Sequence, residues 1–183
     1  VVSIRLTANI SQELEAIAGK YLPISNAMSD INVRILEQGV VLQRLFVLGE
    51  DEKGDERFKM LGVEVAETFT ATLNNLKSDA KVPGVAKRFK SLEQGLGKIE
   101  QAYKKFESHG WRLAREDGDQ DLFQVLLPDL NRNQDAIDRA IAALRLHVEE
   151  LNDAAVIKAD RDERSLLKLN IALTILAAVL GLG

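Results

Sequence analysis

Apolar residues recur along this chain in alternating steps of four and three, the spacing that places them on one stripe of a helix. The first such stretch carries Ile10, Leu14, Ile17, Tyr21, Ile24, Met28, Ile31, Ile35, Gln38, Leu42 and Leu45, with Gln38 its one strongly polar member. The stretch ends at Gly49 and the polar run 50–55, which predicts a helix over 5–48. Pro23 falls inside it and is expected to remove one backbone hydrogen bond and kink it. A second helix, over 56–81, starts behind Asp55 as its N-terminal cap and buries Phe58, Leu61, Val65, Phe69 and Leu76, until Pro83 and Gly84 stop it. The third, over 85–115, carries Val85, Phe89, Leu92, Leu96, Ile99, Tyr103, Phe106, Gly110 and Leu113. After the polar stretch 115–121 the fourth stripe runs through Leu127, Leu130, Gln134, Ile137, Ile141, Leu144, Val148, Leu151 and Ala155, in a helix predicted over 122–180. Pro128 in its first turns is expected to delay the regular part by a few residues.

Four helices joined by short turns predict an all-α, up-down-up-down four-helix bundle, and there is no period-2 run that would make a strand. If the long first and fourth helices are antiparallel, Tyr21 faces Leu151, Met28 faces Leu144, Ile35 faces Ile137 and Leu42 faces Leu130. That register also brings the polar members Gln38 and Gln134 to one level and sets Arg5 opposite Leu167, where an apolar tail begins. The first helix is about 44 residues long against about 27 for the second, so the middle hairpin ends roughly 25 Å short of the outer ends. Below it, Ile10, Leu14, Ile17 and Val156 or Ile157 lack cover in a two-helix stalk, and a symmetric homodimer would supply it.

The fourth helix passes through the charged collar 158–164 into a tail that is apolar from Ile171 onward except for Thr174. About 13 such residues are fewer than the roughly 20 of a membrane span, so the chain is expected to stop inside a bilayer. This divides it into a four-helix-bundle domain over 1–165 and the start of a truncated transmembrane helix over 166–183. Val1, Val2, Ser3 and Ile4, ahead of Arg5, leave open whether they end an earlier membrane helix.

Composition narrows the chemistry. The chain has 183 residues, 46% hydrophobic and 28% charged, with only 3 Pro and 12 Gly, which suits one helical domain with a sizeable core. It has no Cys, which excludes disulfides, thiolate metal sites and a Cys nucleophile, and a net charge of -4 argues against nucleic acid as a partner. His109 and His147 have no metal-ligand spacing and read as surface or boundary residues, so neither metal nor cofactor is expected. Gly95 and Gly97 follow no strand and read as close helix packing, not a phosphate loop, and Trp111 reads as a packing residue. No acid–base pair stands out, and catalysis within this segment is not expected.

Tyr21, Leu22 and Pro23 inside a long first helix, and Glu116, Asp117, Gly118 and Asp119 leading into a long last one, resemble the four-helix-bundle sensor domains of bacterial chemoreceptors and of related histidine kinases and cyclases. The resemblance covers nearly the whole chain. It implies a dimeric signal-transduction receptor domain on the periplasmic side of the inner membrane that passes helix shifts to a cytoplasmic output module. Such a domain would take a small molecule or a periplasmic protein as ligand. The candidate ligand residues are Gln38 and Gln134, with Arg34, Arg44 and Arg132 in the same distal half, since guanidinium matches a carboxylate. The competing reading makes Gln38 and Gln134 hydrogen-bond each other and fix the register. A second function class also stays open, a membrane-tethered structural or assembly bundle without a small-molecule ligand.

Overall fold

Proline has no amide hydrogen, so at position 23 it leaves the carbonyl four residues back without its usual donor. In the computed structural model the chain answers with one wide π-helical turn, Ile17–Tyr21, directly before the first long α-helix, α1, Leu22–Leu48. The sequence predicts a kink at Pro23, and the observed device is this wider turn, in which carbonyls reach one residue further. Three more helices follow: α2, Glu52–Ser78; α3, Ala86–Arg115; and α4, Gln120–Gly181. The structure describes residues 7–8, 10–11, 14–15, 17–48, 52–78, 86–115 and 120–181. Among these the chain is all helical with no strand. The expected first-helix start at 5, the turn at 82–84, Val85 and the stretch 116–119 lie outside the described residues.

Two boundaries differ from the sequence reading. Helix α2 starts at Glu52, so Asp55 is not its cap but lies within its first turn, where a carboxylate still meets the positive end of the helix dipole. Helix α4 starts at Gln120 and carries Pro128 inside it without a delayed start. The carbonyl that Pro128 leaves undonated belongs to Gln124, which is exposed, so water can serve it. In α2 the run from Thr68 to Thr72 would favour strand by propensity, yet Thr68, Thr70 and Thr72 each return their hydroxyl to the carbonyl four residues back at 2.7 to 2.9 Å. Those bonds keep β-branched residues compatible with a helix.

The chain forms two compact units, Ile24–Val148 and Val1–Pro23 with Glu149–Gly183. In the first, the predicted stripes are the core: Ile24, Met28, Ile31, Ile35 and Leu42 on α1 are buried, as are Phe58, Leu61, Val65, Phe69 and Leu76 on α2. Helix α3 buries Phe89, Leu92, Leu96, Ile99, Tyr103 and Phe106, and α4 buries Leu130, Ile137, Ile141, Leu144 and Val148. Each large side chain of this kind contributes about 1.5 to 3 kcal/mol by leaving water. One stripe position shifts, for Leu126 is buried where Leu127 was expected, because α4 extends its spacing of four back from Leu130. In the second unit Ala155 is buried, whereas Leu14, Val156 and Ile157 are each more than half exposed. Among the described residues no helix is long and apolar enough to cross a membrane.

Candidate functional site

A glutamine in an apolar stripe must find partners, because a buried amide without hydrogen bonds costs about 1 to 3 kcal/mol. Gln38 is completely buried, and its Nε2 donates to the backbone carbonyl of Phe58 on α2 at 3.0 Å. Its Oε1 accepts from the hydroxyl of Tyr103 on α3 at 3.1 Å. The expected Gln38–Gln134 bond is therefore not the one formed; both ends of the Gln38 amide are taken by α2 and α3. Gln134 is half-buried on α4, its Oε1 3.9 Å from where a Cβ would stand on Gly39.

Tyr103 extends the layer to Glu107, one turn on along α3, with its hydroxyl 3.4 Å from Glu107 Oε1. The space for this comes from Gly62 on α2. A Cβ there would stand 2.5 Å from Glu107 Oε1 and 3.4 Å from both Gln38 Nε2 and the Tyr103 hydroxyl. Burial, then the neighbouring Glu107 charge, hold the Tyr103 phenol well above its ordinary range, so it keeps its proton and acts as a donor. That single proton serves the shorter contact to Gln38 better than the longer one to Glu107. Once Glu107 is protonated, it can donate to the Tyr103 oxygen, and one chain of donors then runs from Glu107 through Tyr103 and Gln38 to the Phe58 carbonyl.

Glu107 is half-buried, and burial raises its carboxyl above the ordinary value of 4.5 against the opposing pull of the Tyr103 bond and of the Lys104 charge. A carboxyl raised by folding binds its proton more tightly in the folded chain, so its contribution to stability is intact below 4.5 and lost as pH rises through the raised value. Glu107→Gln should therefore gain on the parent chain as pH rises across that interval, and lie level with it at lower pH, in denaturant titrations taken in steps of pH. Two curves that stay parallel throughout would show that this carboxyl titrates as a free one does.

The remaining expected ligand residues point elsewhere. Arg34 Nε donates to Glu64 Oε2 on α2 at 2.8 Å, and its Nη1 reaches the Asp30 carbonyl at 3.3 Å. Arg132 pairs with Asp129 on its own helix at 3.2 Å and stands largely in water, and Arg44 is exposed. Among the described residues no hydrogen bond links any two of Arg34, Gln38, Arg44, Arg132 and Gln134. The depression of about 480 Å³ lined by Val63, Ala66, Glu67, Thr70, Ala71 and Asn74 is an open face of α2 alone, away from the Gln38 layer.

Other singled-out residues settle into packing. Trp111 meets Phe58 edge to face at 5.4 Å between ring centres, and a Cβ on Gly95 would stand 2.6 Å from Leu144 Cδ1, the close helix approach expected of it. His109 Nδ1 shares a 3.0 Å bond with Asn133, and His147 Nε2 a 2.7 Å bond with Ser91, whose hydroxyl also lies 2.7 Å from the Arg88 carbonyl. A serine that gives its proton to that carbonyl is not activated by the histidine. Tyr103, Glu107 and Gly62 are the functional candidates that sequence reasoning missed. The available signals were a tyrosine in an apolar stripe one turn before a glutamate, and a glycine inside a strong helix. Compared with protein-family models, curated proteins and solved structures, the chain matches none of them.

Proposed function

We propose that this chain is the extracytoplasmic sensor domain of a bacterial transmembrane signalling receptor, anchored in the inner membrane, with residues 166–183 beginning a membrane helix. The observation that carries the reading is α4, one helix of 62 residues and so about 90 Å long. It contributes core residues from Leu130 to Val148 and goes on to exposed Leu167, Ile171 and Leu173. An up-down-up-down order fits the contacts within Ile24–Val148, which descend along one helix as they rise along the next. Arg34 and Gln38 of α1 meet Glu64 and Phe58 of α2, and Phe58 and Phe69 meet Trp111 and Tyr103 of α3. Ser91 and His109 of α3 meet His147 and Asn133 of α4.

In this reading the chain catalyses nothing itself and needs no cofactor; it converts ligand binding into a helix shift that an output module reads. A ligand can do so only by binding two helix arrangements with different affinity. A carboxylate ligand would have to take Arg34 from Glu64, exchanging one charged partner for another. The alternative, a membrane-tethered structural or assembly bundle without a small ligand, has one observation in its favour. Gln38, Tyr103 and the Phe58 carbonyl already satisfy one another, so the layer needs no ligand to complete it.

This segment has no Cys of its own, so a single cysteine placed in it reports its side of the membrane once any cysteine elsewhere in the full-length protein is replaced. Lys105 is exposed on α3, so Lys105→Cys in the full-length protein should be labelled in intact bacteria by a thiol reagent that cannot cross the inner membrane. Labelling that appears only after lysis would overturn the extracytoplasmic reading.

A further inference from the structure

Helix α3 sorts its charged residues by sign. Among the described residues its exposed charges are all cations, Lys90, Lys98, Lys104, Lys105 and Arg112, whereas Glu93, Glu100 and Glu107 are half-buried. The glutamates stand seven residues apart, so they share one flank, the one toward α2. There Glu93 meets Lys77 of α2 at 3.6 Å, Glu100 is held by Lys104 at 2.7 Å, and Glu107 lies against Gly62. Ser91 and His109 occupy the other flank, against α4. Between the flanks runs a single outer line, Lys90, Lys98, Lys105 and Arg112, with Gln94, Gln101 and Ser108 as neutral spacers. All of these fall within about 80° of arc on the helix. Among the described residues none of the four cations of the line has an ion pair. The exposed faces of the other helices mix both signs, as with Glu37 and Arg44 on α1, Lys59 and Glu67 on α2, and Asp138 and Arg139 on α4.

We infer that this outer line of α3 binds a linear phosphate polymer laid along the helix. Its cations follow one another at about 10 to 12 Å and span about 33 Å. A single file of charges matches a line and not a plane, which separates a chain of anions from a flat anionic bilayer. The line has no apolar or aromatic member, and lysine is depleted where folded proteins meet, so it lacks the anchors on which a protein interface is built. It also lacks a ring on which an unpaired base could stack. Three of its four cations are lysines, whose ammonium is a point charge with rotatable donors that meets a tetrahedral phosphate from any side. Planar carboxylates are better matched by the arginine fork. Spacing beyond the screening length of about 8 Å at physiological salt lets the cations share one helix face without much mutual repulsion. Between them Gln94, Gln101 and Ser108 offer further donors to phosphate oxygens. The whole chain carries a net charge of -4, so the line is a local basic field in an acidic protein, which confines a polyanion to this face. The inference stands under either reading of the function.

The test titrates the full chain into end-labelled long-chain polyphosphate and follows fluorescence anisotropy at several salt concentrations. Binding should strengthen as salt falls, by about three powers of ten per tenfold drop, as expected for about four displaced counterions. Unlabelled triphosphate, too short to bridge two cations of the line, should compete about tenfold more weakly per phosphate. Lys98→Glu with Lys105→Glu should weaken binding about tenfold or more. Lys59→Glu with Arg145→Glu, an equal change of net charge away from the line, should stay within about twofold of the parent. All four of these residues are exposed, so the circular dichroism of both variants should match the parent's. Absence of polyphosphate binding, no advantage of length, or equal losses in the two variants overturns the proposal. Tighter binding of polyglutamate, duplex DNA or phosphatidylglycerol vesicles at equal charge overturns it in favour of an acidic polypeptide, nucleic acid or a lipid surface.

Discussion

Phe58→Ala is expected to lower the unfolding free energy by about 3 to 5 kcal/mol, the usual effect of emptying a large buried ring site. The ring is completely buried, stands edge-on to Trp111, and fills the space that Gly110 leaves open. A Cβ on Gly110 would lie 2.5 Å from Phe58 Cζ and 3.2 Å from Leu42 Cδ1, so Gly110→Ala alone should cost about 1 to 3 kcal/mol through forced displacement of the ring. The two changes should not add. In the double variant the new methyl occupies part of the vacated ring site, and the total should fall short of the sum by more than about 0.5 kcal/mol. Urea denaturation of the four chains in this cycle measures the coupling; strict additivity would mean that Gly110 and Phe58 do not share the contact described.

The other large effect concerns transmission and rests on the receptor reading. Between Pro128 and Gly181, α4 holds no proline or glycine, so no residue in it offers an obvious hinge. Two glycines inserted after Ala155 in the full-length protein would rotate everything beyond them by about 200° and weaken the helix by about 1 kcal/mol each. The expected result is complete loss of ligand-dependent output with ligand affinity within about twofold of the parent, since the insertion lies beyond the Gln38 layer. Ligand titrations on purified receptor, set beside output assays in cells, separate the two. Output that still follows ligand in this variant would end the case for rigid transmission through α4.

The helices were legible because each has its own stripe, and a stripe of Phe, Leu and Ile in steps of three and four has one low-energy way to leave water. Their ends were less so: Glu52 and Gln120 begin helices inside runs of polar residues, where no apolar signal marks the start. The layer was half legible. Gln38 announced itself as a polar break in an apolar run, but its partners did not. One is a backbone carbonyl, which has no sequence signature, and the other is Tyr103, which scores as apolar in a stripe although its hydroxyl needs an acceptor. Gly62 is harder still, because its role is the absence of a side chain where Glu107 approaches α2. The partners of the arginines were not legible, since Arg34 and Arg132 each have a carboxylate within reach and a sequence does not tell which partner a guanidinium selects.

The bond from Gln38 to the Phe58 carbonyl ties α1 to α2, and the bond from Tyr103 to Gln38 ties α3 to both. Among the described residues α4 adds no hydrogen bond to this layer; it packs through its apolar stripe, with Leu144 against Gly95, through the stacked rings of Phe46 and Phe123, and through hydrogen bonds at His109 and His147 nearer the edges. A sliding helix that must break a buried amide bond has a detent, while one held by rings and half-exposed imidazoles can creep. If the chain is a receptor domain, the buried glutamine would hold α1, α2 and α3 together as a stator, and α4, which takes no part in that layer, would be the helix to shift against them.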